Sequence, residues 1–401
     1  MQTNISEDIL DTEAGAEANR ILRSCVHCGF CTATCPTYQE LGDELDGPRG
    51  RIYLIKDMLE GGEVTDKTRQ HLDRCLSCRA CETTCPSGVE YVHLAEIGRQ
   101  LAEQKAPRPL RDRLFRKLLL AVLPFRQRFS AMLKAARLLK PLLPAQIKSH
   151  LPAQAAVSSV WPKARHQRTI LLIEGCVQPV LAPDIDAVTA QVLDKLGIST
   201  LRTAQAQCCG AVEHHMNAHN KALDRMRANI DLWWPYIEGG AEAIVSTASA
   251  CALEIKEYAY LLRNDAEYAE KAVKLSAACR DISEILMAED VSVLKSERDK
   301  SVAFHASCTL QHGQKLNGVV EDILQRVGYQ LQEVRNAHLC CGSAGTSSIL
   351  QPQLSNTLRD NKLAALSANK PDLIATANIG CLNHLASGTE RSVKHWVELL
   401  L

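Results

Sequence analysis

The chain has 401 residues, 46% of them apolar and 23% charged, and a formal net charge of zero. This composition excludes disordered and collagen-like proteins and leaves room for two or three domains of roughly 150 residues each. The balanced charge gives no preference for nucleic acid, so we expect no nucleic-acid partner. The N-terminal segment lacks an apolar core of the signal-peptide kind, and no apolar stretch approaches the ~20 residues that cross a bilayer. We therefore expect a cytoplasmic chain without a transmembrane helix.

Seventeen cysteines form a first group of eight, from Cys25 to Cys85, and a second group of nine, from Cys176 to Cys381. A chain without an export signal is expected in a reducing compartment, where clustered thiols persist mainly as metal ligands or redox groups. The cysteine-free interval between the groups predicts a linker. Metal or redox chemistry is therefore expected at both groups.

The first group consists of two runs with the spacing C-x2-C-x2-C-x3-C, each followed by a proline. The runs are Cys25, Cys28, Cys31 and Cys35 before Pro36, and Cys75, Cys78, Cys81 and Cys85 before Pro86. This is the run of bacterial two-cluster ferredoxins, in which the fourth cysteine ligates the other cluster. We therefore predict two [4Fe-4S] clusters, one on Cys25, Cys28, Cys31 and Cys85 and the other on Cys75, Cys78, Cys81 and Cys35.

Paired CxxC motifs also build zinc ribbons with four thiolate ligands, so two zinc sites are the alternative. Zinc ribbons need neither the third cysteine of each run nor the trailing Cys-Pro, which favours iron–sulfur clusters. A Gly/Pro turn at 47–50 and two helix-like pieces separate the runs, and the segment from Tyr91 to Gln104 has the pattern of a helix. We predict a mostly helical ferredoxin-like domain over residues 1–105.

Residues 106–168 are predicted to form a basic helical linker. Between Arg111 and Lys148 ten lysines and arginines are opposed by a single acid, and apolar residues such as Leu114 and Leu118 recur at helical spacing. Such a segment fits an anionic membrane surface, which would make the chain peripheral on the cytoplasmic face of the inner membrane. A helical linker that is solvated or packed on a partner subunit is the alternative.

The second half of the chain repeats itself, with domains predicted at residues 169–290 and 291–401. In each copy a strand-like run leads to a cysteine, a CCG triplet follows, and another strand-like run leads to a further cysteine. The strand-like runs are Thr169 to Ile173, Ala243 to Thr247, Ser301 to Phe304 and Leu373 to Thr376. The step from first cysteine to CCG is 32 residues in both copies, from 176 to 208 and from 308 to 340.

Short Val/Ile-rich runs alternate with amphipathic segments in both copies, which predicts βα units with parallel strands. The cysteines then fall at strand ends, where α/β folds bind ligands. The predicted fold class is α+β and multi-domain. A mostly helical two-cluster ferredoxin domain is followed by a duplicated α/β cysteine-rich domain.

The two cysteine groups together carry a family resemblance. Two C-x2-C-x2-C-x3-C-P runs followed by two CCG repeats resemble the iron–sulfur subunits of bacterial glycolate oxidase over nearly the whole chain. The segments from Cys75 to Val89 and from Gly47 to Arg51 are most similar to that family. The wider family includes the small subunit of anaerobic glycerol-3-phosphate dehydrogenase, lactate-utilisation proteins and the B subunit of heterodisulfide reductase.

Each CCG repeat supplies four thiols that are candidate metal ligands. They are Cys176, Cys208, Cys209 and Cys251 in the first copy and Cys308, Cys340, Cys341 and Cys381 in the second. Adjacent cysteines seldom bond to each other because the disulfide strains the peptide, and the following glycine relieves backbone crowding. In the wider family each repeat ends in CxxC, but Ala248 and Asn378 stand at the first of these positions. Four thiolates still fit a tetrahedral zinc or a third iron–sulfur cluster, which we favour in at least one repeat; an unligated buried set is the alternative.

Five histidines near the CCG cysteines are expected to be structural, with ligation or hydrogen bonding to a cluster as the alternative. They are His214, His215, His305, His312 and His338. Cys279 matches nothing in the repeat and is predicted to be a small buried hydrophobe. Neither a P-loop nor a helix-opening GxGxxG is present, so nucleotide binding by this chain has no support.

The resemblance implies an electron-transfer subunit of a flavin-dependent dehydrogenase complex for glycolate or another 2-hydroxy acid. A partner subunit would bind FAD and oxidise the substrate, and the clusters would pass electrons singly to a quinone or another membrane acceptor. No proton-abstracting base is evident, so we assign no catalytic residue. The alternatives are a subunit of anaerobic glycerol-3-phosphate dehydrogenase and a thiol–disulfide reductase of heterodisulfide reductase type, which the missing CxxC thiols disfavour.

Overall fold

The computed structural model describes residues 1–140, 158–203, 205, 208–294 and 300–401. Of the predicted basic linker, Lys148 and the rest of 141–157 lie outside the described residues. The described part has the predicted α+β organisation, with helices up to Leu138 and two small parallel sheets after it.

The N-terminal part is helical, as its pattern predicted. Its helices are α1 (Glu7–Leu10), α2 (Glu13–Ser24), α3 (Phe30–Ala33), α4 (Pro36–Leu41), α5 (Pro48–Leu59), α6 (Asp66–Asp73), α7 (Ala80–Thr84) and α8 (Tyr91–Lys105), with a 3-10 turn at Glu44–Asp46. Proline is the first residue of both α4 and α5, where its missing N–H removes no intrahelical bond. The proline after the first cysteine run therefore starts a helix directly behind Cys35.

Helices α2, α5 and α8 form the core of this part. Leu22, Ile55 and Leu94, one from each helix, are fully buried. Gly98 lets α8 approach α5 closely, because a Cβ at this position would lie 2.5 Å from Ile55 Cγ1. Gly50 does the same for α5 and the 3-10 turn, where a Cβ would lie 2.1 Å from Glu44 O. This packed core carries the loops that contain the two cysteine runs.

Two further helices connect the N-terminal part with the sheets. They are α9 (Leu110–Val122) and α10 (Arg126–Leu138). The connection begins at Arg108, whose Nη1 lies 2.6 Å from Asp73 Oδ2. At the start of α10, Arg126 Nη1 lies 3.6 Å from Glu174 Oε2 of the first cysteine-rich copy. The described linker helices are therefore tied by ion pairs to the parts that they join.

Two four-stranded sheets follow, one for each copy of the repeat. The strands are β1 (Arg168–Ile173), β2 (Ile198–Leu201), β3 (Ile244–Ser246) and β4 (Cys279–Asp281), then β5 (Ser301–His305), β6 (Gln330–Leu331), β7 (Leu373–Thr376) and β8 (Val393–His395). Their order is β2-β1-β3-β4 in the first sheet and β6-β5-β7-β8 in the second. Neighbouring strands pair in parallel, as the βα pattern predicted, with Leu171 opposite Ile244 and Val302 opposite Leu373. The two copies thus share one topology.

Helices connect the strands in both copies. The first copy has Gln178–Leu181, Asp184–Lys195, Ala211–His215, His219–Glu238, Ser249–Lys256, Tyr258–Leu261, Ala269–Ala278 and Ile282–Met287. The second has Val319–Arg326, Ser347–Leu350, Pro352–Ser367 and Ile379–Ala386, with a π-helical turn at Thr309–Gly313. Short 3-10 turns lie at Val291–Val293 and Trp396–Leu400.

The two sheets share one hydrophobic core. Val245 of β3, Ala375 of β7 and Trp396 near the C terminus are all buried in it. Beyond the ends of β3 and β7, the Ser249 N–H donates to Ala377 O at 3.2 Å. The carboxyl ends of the two central strands therefore meet, and the cysteines that follow these strands lie near that junction.

Candidate metal centres

The first thiol set lines a cavity at the surface of the N-terminal part. It consists of Cys25, Cys28, Cys31 and Cys85. The first three come from the end of α2 and the start of α3, and the fourth follows α7. Cys28 is exposed to solvent and Cys25 is buried. The structure thus brings together the four cysteines predicted for one cluster, while their ligation stays a prediction.

The second thiol set lines a neighbouring cavity deeper in the N-terminal part. It consists of Cys35, Cys75, Cys78 and Cys81. Cys81 also borders the first cavity, so the two cavities are adjacent. The fourth cysteine of each run lies with the other run, which is the crossed arrangement that the ferredoxin spacing predicts.

The same pair of left-handed backbone residues bends both runs. They are His27 (φ 56°) and Gly29 (φ 83°) in the first run, and Ser77 (φ 50°) and Arg79 (φ 60°) in the second. For a non-glycine residue this conformation costs roughly 1–2 kcal/mol and marks functional sites. The bend turns successive cysteines toward one cavity and leaves N–H groups free to face sulfur, as where the Ser77 N–H donates to Cys75 Sγ at 3.4 Å. Cavities lined by four thiols on such a backbone fit [4Fe-4S] clusters.

A buried arginine lies beside the second set. The two terminal nitrogens of Arg51 both donate to Thr37 Oγ1 at 3.2 Å, and buried Asp46 lies 3.6 Å away. Burial disfavours the charged form of Cys75, but the Arg51 and Arg99 guanidinium groups outweigh it and lower the pKa of that thiol. The positive charge therefore favours the thiolate, which is the form that binds a metal.

The first CCG set is compact. It consists of Cys176, Cys208, Cys209 and Cys251, in which Cys176 is hydrogen-bonded to Cys208 and Cys209 to Cys251. Buried side chains hold the CCG backbone, because Asn229 Nδ2 donates to Cys208 O at 2.9 Å and the Tyr258 hydroxyl to Cys209 O at 2.5 Å. Hydrogen bonds from the neighbouring Cys176 and Cys209 hold the pKa of Cys208 well below its usual value. The set fits a metal with four thiolate ligands.

The second CCG set is buried. It consists of Cys308, Cys340, Cys341 and Cys381. Cys308 Sγ lies 3.9 Å from Cys340 Sγ. A tetrahedral zinc with Zn–S bonds of about 2.3 Å has sulfurs about 3.8 Å apart, so this pair matches such a site without rearrangement. After the cysteine pair Gly342 has φ 86°, and a Cβ there would lie 2.6 Å from Ser355 O, so the position requires glycine.

His305 lies against this second set. It is the last residue of β5 and is 1% exposed, and a ring nitrogen lies with Cys341 Sγ and Cys381 Sγ so that all three atoms are within 4.8 Å of one another. Burial and, after it, the Lys362 ammonium lower the pKa of His305 well below its usual value. The expectation of structural histidines suits His312, whose Nε2 lies 2.8 Å from His338 O. The setting of His305 differs, because its ring nitrogen lies beside two thiols.

The second N-terminal set faces the second CCG set. After burial, the nearby Cys308 thiol is the largest cause that raises the pKa of Cys78 well above its usual value. Thr83 Oγ1 lies 3.1 Å from His312 Nδ1 across the same contact. A cavity of about 170 Å³ lies here, with Cys75 and Cys308 both in its lining. Thiols of both domains therefore border one space.

Buried ion pairs fix the N-terminal part on the first copy. His214 Nδ1 lies 2.8 Å from Glu254 Oε1 and its Nε2 lies 3.4 Å from Glu96 Oε2 of α8. Glu257 similarly bridges His93 at 2.9 Å and Arg79 at 2.8 Å. The partners are far apart in sequence, 164 positions for His93 and Glu257, so no local spacing marks them. Sequence reasoning missed this interface.

Cys279 behaves as the sequence predicted. It is fully buried in the core behind the first sheet, and its Sγ lies 3.7 Å from Ala252 O. Burial raises the pKa of this thiol to about 12. Cys279 is therefore a packing residue outside the thiol sets.

Comparison with known protein families agrees with this architecture. The 4Fe-4S dicluster domain family matches residues 21–89, and the cysteine-rich (CCG) domain family matches residues 170–256 and 302–386. A crystal structure of a hypothetical protein from Helicobacter pylori superposes with a TM-score of 0.57 at 11% identity, covering 98% of this chain and 74% of that one. This likeness shows a shared fold. Within the described part of the chain, no helix combines the length and apolar character needed to cross a bilayer.

The fold and its thiol sets define an iron–sulfur electron-transfer protein with a dicluster ferredoxin domain and a duplicated cysteine-rich domain. The glycolate oxidase iron-sulfur subunit of Escherichia coli (strain K12) is 54% identical over 400 residues, covering 100% of this chain and 98% of its own length. The probable glycolate oxidase iron-sulfur subunit of Bacillus subtilis (strain 168) is 30% identical, covering 92% and 89%. Lactate utilization protein A of Halalkalibacterium halodurans is 28% identical over 56% of this chain. The chain belongs to the family of glycolate oxidase iron–sulfur subunits, which confirms the resemblance found in the sequence.

The crossed arrangement predicts which variants lose the same cluster. Cys35→Ser should remove the electron paramagnetic resonance signal that Cys78→Ser removes, because both thiols line the second cavity, although Cys35 belongs to the first run. The signal lost in Cys28→Ser should differ. Each variant should lose up to about four iron atoms per chain. Cys279→Ser is the matched control and should keep full iron, whereas a Cys35→Ser spectrum that matches Cys28→Ser would contradict the crossing.

The His214 contacts predict a pH dependence of stability. Burial disfavours the imidazolium, but Glu96 and Glu254 outweigh it and raise the pKa of His214 well above its usual value. The contact then stabilises the fold fully below the unfolded pKa of about 6.5 and weakens as pH rises through the folded value. We expect His214→Gln to lower the free energy of unfolding by about 3 kcal/mol at about pH 6 and by less at about pH 9.

Chemical denaturation at several pH values measures this difference. His166→Gln is a suitable control, because His166 pairs with Asp194 near the surface, with 26% of its side chain exposed. If the loss of stability caused by His214→Gln grew with pH, the charged imidazolium of His214 would not be the group that stabilises the interface.

Proposed function

We propose that this chain is the electron-transfer subunit of a flavin-dependent glycolate dehydrogenase complex. A separate FAD-binding subunit oxidises glycolate to glyoxylate, and its two electrons leave one at a time through this chain toward a quinone or another membrane acceptor. The name of the relative with 54% identity, a glycolate oxidase iron-sulfur subunit, supports the substrate. No catalytic residue is assigned to this chain.

The serial arrangement of three thiol sets carries the proposal. The first set opens to solvent at Cys28, and Cys81 borders both N-terminal cavities. Cys78 of the second set then interacts electrostatically with Cys308 of the second CCG repeat, and Cys75 of the same set lines one cavity with Cys308. [4Fe-4S] clusters bound at the N-terminal sets supply one-electron chemistry over a wide range of potentials. The three thiol sets therefore form a row that starts at the surface and runs into the protein, an arrangement that suits an electron relay.

Residues around the N-terminal sets shield them and balance their charge. Ile52, Val89 and Tyr91 line the first cavity and are themselves almost fully buried, so they exclude water from its inner side. Arg51 and Arg99 lower the pKa of Cys75 and so favour thiolate ligands. The side chains around the N-terminal sets thus exclude water from the inner side of the first cavity and supply positive charge that offsets the negative charge of the thiolates.

The exposed side of the first set is the docking face that we assign to the FAD-binding subunit. Val26, Phe30 and Tyr53 are 66%, 59% and 52% exposed and lie on or beside the loop that carries exposed Cys28. His27 of this loop stacks on Tyr53 with ring centroids 4.6 Å apart. Exposed apolar side chains gathered at a redox site indicate a protein contact.

Helix α9 supports a peripheral position at the inner membrane. Leu110, Leu114 and Leu118 are 68%, 57% and 55% exposed and follow one another at four-residue steps along one face. Basic residues Arg111 and Lys117 lie between them in sequence, which suits anionic lipid. We therefore place this face on the cytoplasmic side of an anionic membrane, near the acceptor.

The substrate assignment is tested with the purified complex of this chain and its flavin-bearing partners. Glycolate should reduce a soluble quinone analogue faster than D-lactate or glycerol 3-phosphate does. A faster rate with D-lactate or glycerol 3-phosphate would assign that compound as the substrate and would leave the proposed electron relay unchanged.

The docking face is tested in the same complex. Phe30→Glu should slow glycolate-dependent quinone reduction at least tenfold with unchanged iron content, whereas Val273→Glu, which charges another exposed apolar position, should not. Equal rates in both variants would contradict the docking face.

The membrane contact is tested by sedimentation with vesicles. Leu114→Glu combined with Leu118→Glu should abolish binding to vesicles that contain phosphatidylglycerol, because it places acids on the apolar face. Binding of the unchanged protein should be weaker to pure phosphatidylcholine and at high salt. Val273→Glu again serves as the control. Unchanged binding of the double variant, or no binding by the original chain, would contradict membrane binding through α9.

A further inference from the structure

His305 is a buried polar side chain that lacks a hydrogen-bond partner. It is 1% exposed, and neither Nδ1 nor Nε2 has a partner among the described residues. Burying an imidazole without a hydrogen bond is unfavourable by about 1–3 kcal/mol, and such groups are rare in folded proteins. An unpartnered ring of this kind calls for a physical reason, and a role as a metal ligand is one.

The ring is aimed at thiols. One of its nitrogens, Cys341 Sγ and Cys381 Sγ all lie within 4.8 Å of one another, and all three residues are buried. Cys341 is in turn hydrogen-bonded to Cys340, which lies 3.9 Å from Cys308. The second repeat therefore offers five potential donor side chains, four thiols and one imidazole.

The sequence of the first repeat has no histidine at the corresponding position. The first repeat carries Ile173 three residues before Cys176, at the position that corresponds to His305 before Cys308. Both repeats lack the first thiol of the CxxC pair, and in the second repeat Asn378 Nδ2 lies 3.7 Å from Cys381 Sγ instead. The second repeat thus has an imidazole beside its thiols, whereas the first has isoleucine at the matching position.

We propose that His305 is a ligand of a metal centre in the second cysteine-rich repeat, sharing it with thiolates drawn from Cys308, Cys340, Cys341 and Cys381. This inference rests on the proposed metal occupancy of that repeat. Imidazole and thiolate together suit iron or zinc. On an iron–sulfur centre, replacing thiolate by imidazole raises the reduction potential, which suits the inner end of the row of thiol sets.

The test uses the full chain, purified anaerobically with its partner subunits. Cys341→Ser combined with Cys381→Ser defines the metal of the second repeat as the metal that this double variant removes, because these two thiols lie nearest His305. His305→Ile is the test variant, because isoleucine is the residue that the first repeat carries at this position and therefore suits the fold. His305→Cys restores a metal ligand of another type. The N-terminal cluster signals should be unchanged in all three variants, which shows that each has folded.

Nitrogen ligation is read directly with the chain labelled with 15N at its histidine rings. If the second-repeat centre is paramagnetic, electron–nuclear double resonance should show a 15N coupling that His305→Ile loses. If the metal is zinc, X-ray absorption should show a nitrogen neighbour at about 2.0–2.1 Å beside sulfur at about 2.3 Å, again lost in His305→Ile. His305→Ile should also bind this metal more weakly, and His305→Cys should recover it.

Three results would overturn the inference. One is a second-repeat centre with sulfur neighbours alone in the unchanged protein. Another is a nitrogen signal that persists in His305→Ile. The third is a Cys341→Ser/Cys381→Ser double variant with the same metal content as the parent, which would leave the donor group around His305 without a metal. The first two results leave the proposed relay unchanged, and the third shortens it to the two N-terminal sets. The relay itself fails separately if the N-terminal signals are missing or do not respond to glycolate in the complex.

Discussion

Cys35 and Cys85 each lie with the cysteine run to which they do not belong in sequence, and the N-terminal part is organised around this exchange. Neither thiol set is complete until both runs are in place, so two loops fifty positions apart must fold as one unit. The helical core of α2, α5 and α8 holds them there, and glycine at 98 allows the necessary close packing. The same constraint explains the left-handed residues in both runs, since two equivalent loops must wrap equivalent cavities.

Buried charge also holds the N-terminal part against the first cysteine-rich copy. Arg51 is almost fully buried next to Asp46 and beside the second cavity, and the His214 and Glu257 contacts lock α8 onto the first copy. Breaking such a pair leaves an uncompensated charge in a low-dielectric interior, which costs several kcal/mol. The interface is therefore expected to be rigid. Rigidity suits a relay because electron transfer between centres weakens steeply with their separation.

The sequence predicted those features that depend on local spacing. The cysteine runs, the strands before Cys176 and Cys308 and the parallel pairing all follow from residue patterns, and the structure contains them. The contacts between domains could not be predicted from the sequence, because their partners lie more than a hundred positions apart. The setting of His305 could not be predicted from the sequence either. Its sequence neighbourhood resembled that of four other histidines, and only the fold reveals that its ring meets Cys341 and Cys381 without a hydrogen-bond partner among the described residues.

The two cysteine-rich copies share a topology but not an environment. The first set lies near linker contacts such as the pair of Arg126 and Glu174 and has four thiols as donors. The second set faces Cys78 of the ferredoxin-like part and has His305 within reach of its thiols. Duplication of one fold therefore leaves two sites whose neighbours differ. A redox role fits the second copy, because among the described CCG cysteines those that line a cavity with Cys75 belong to this copy. A compact four-thiolate site away from that row fits a structural metal.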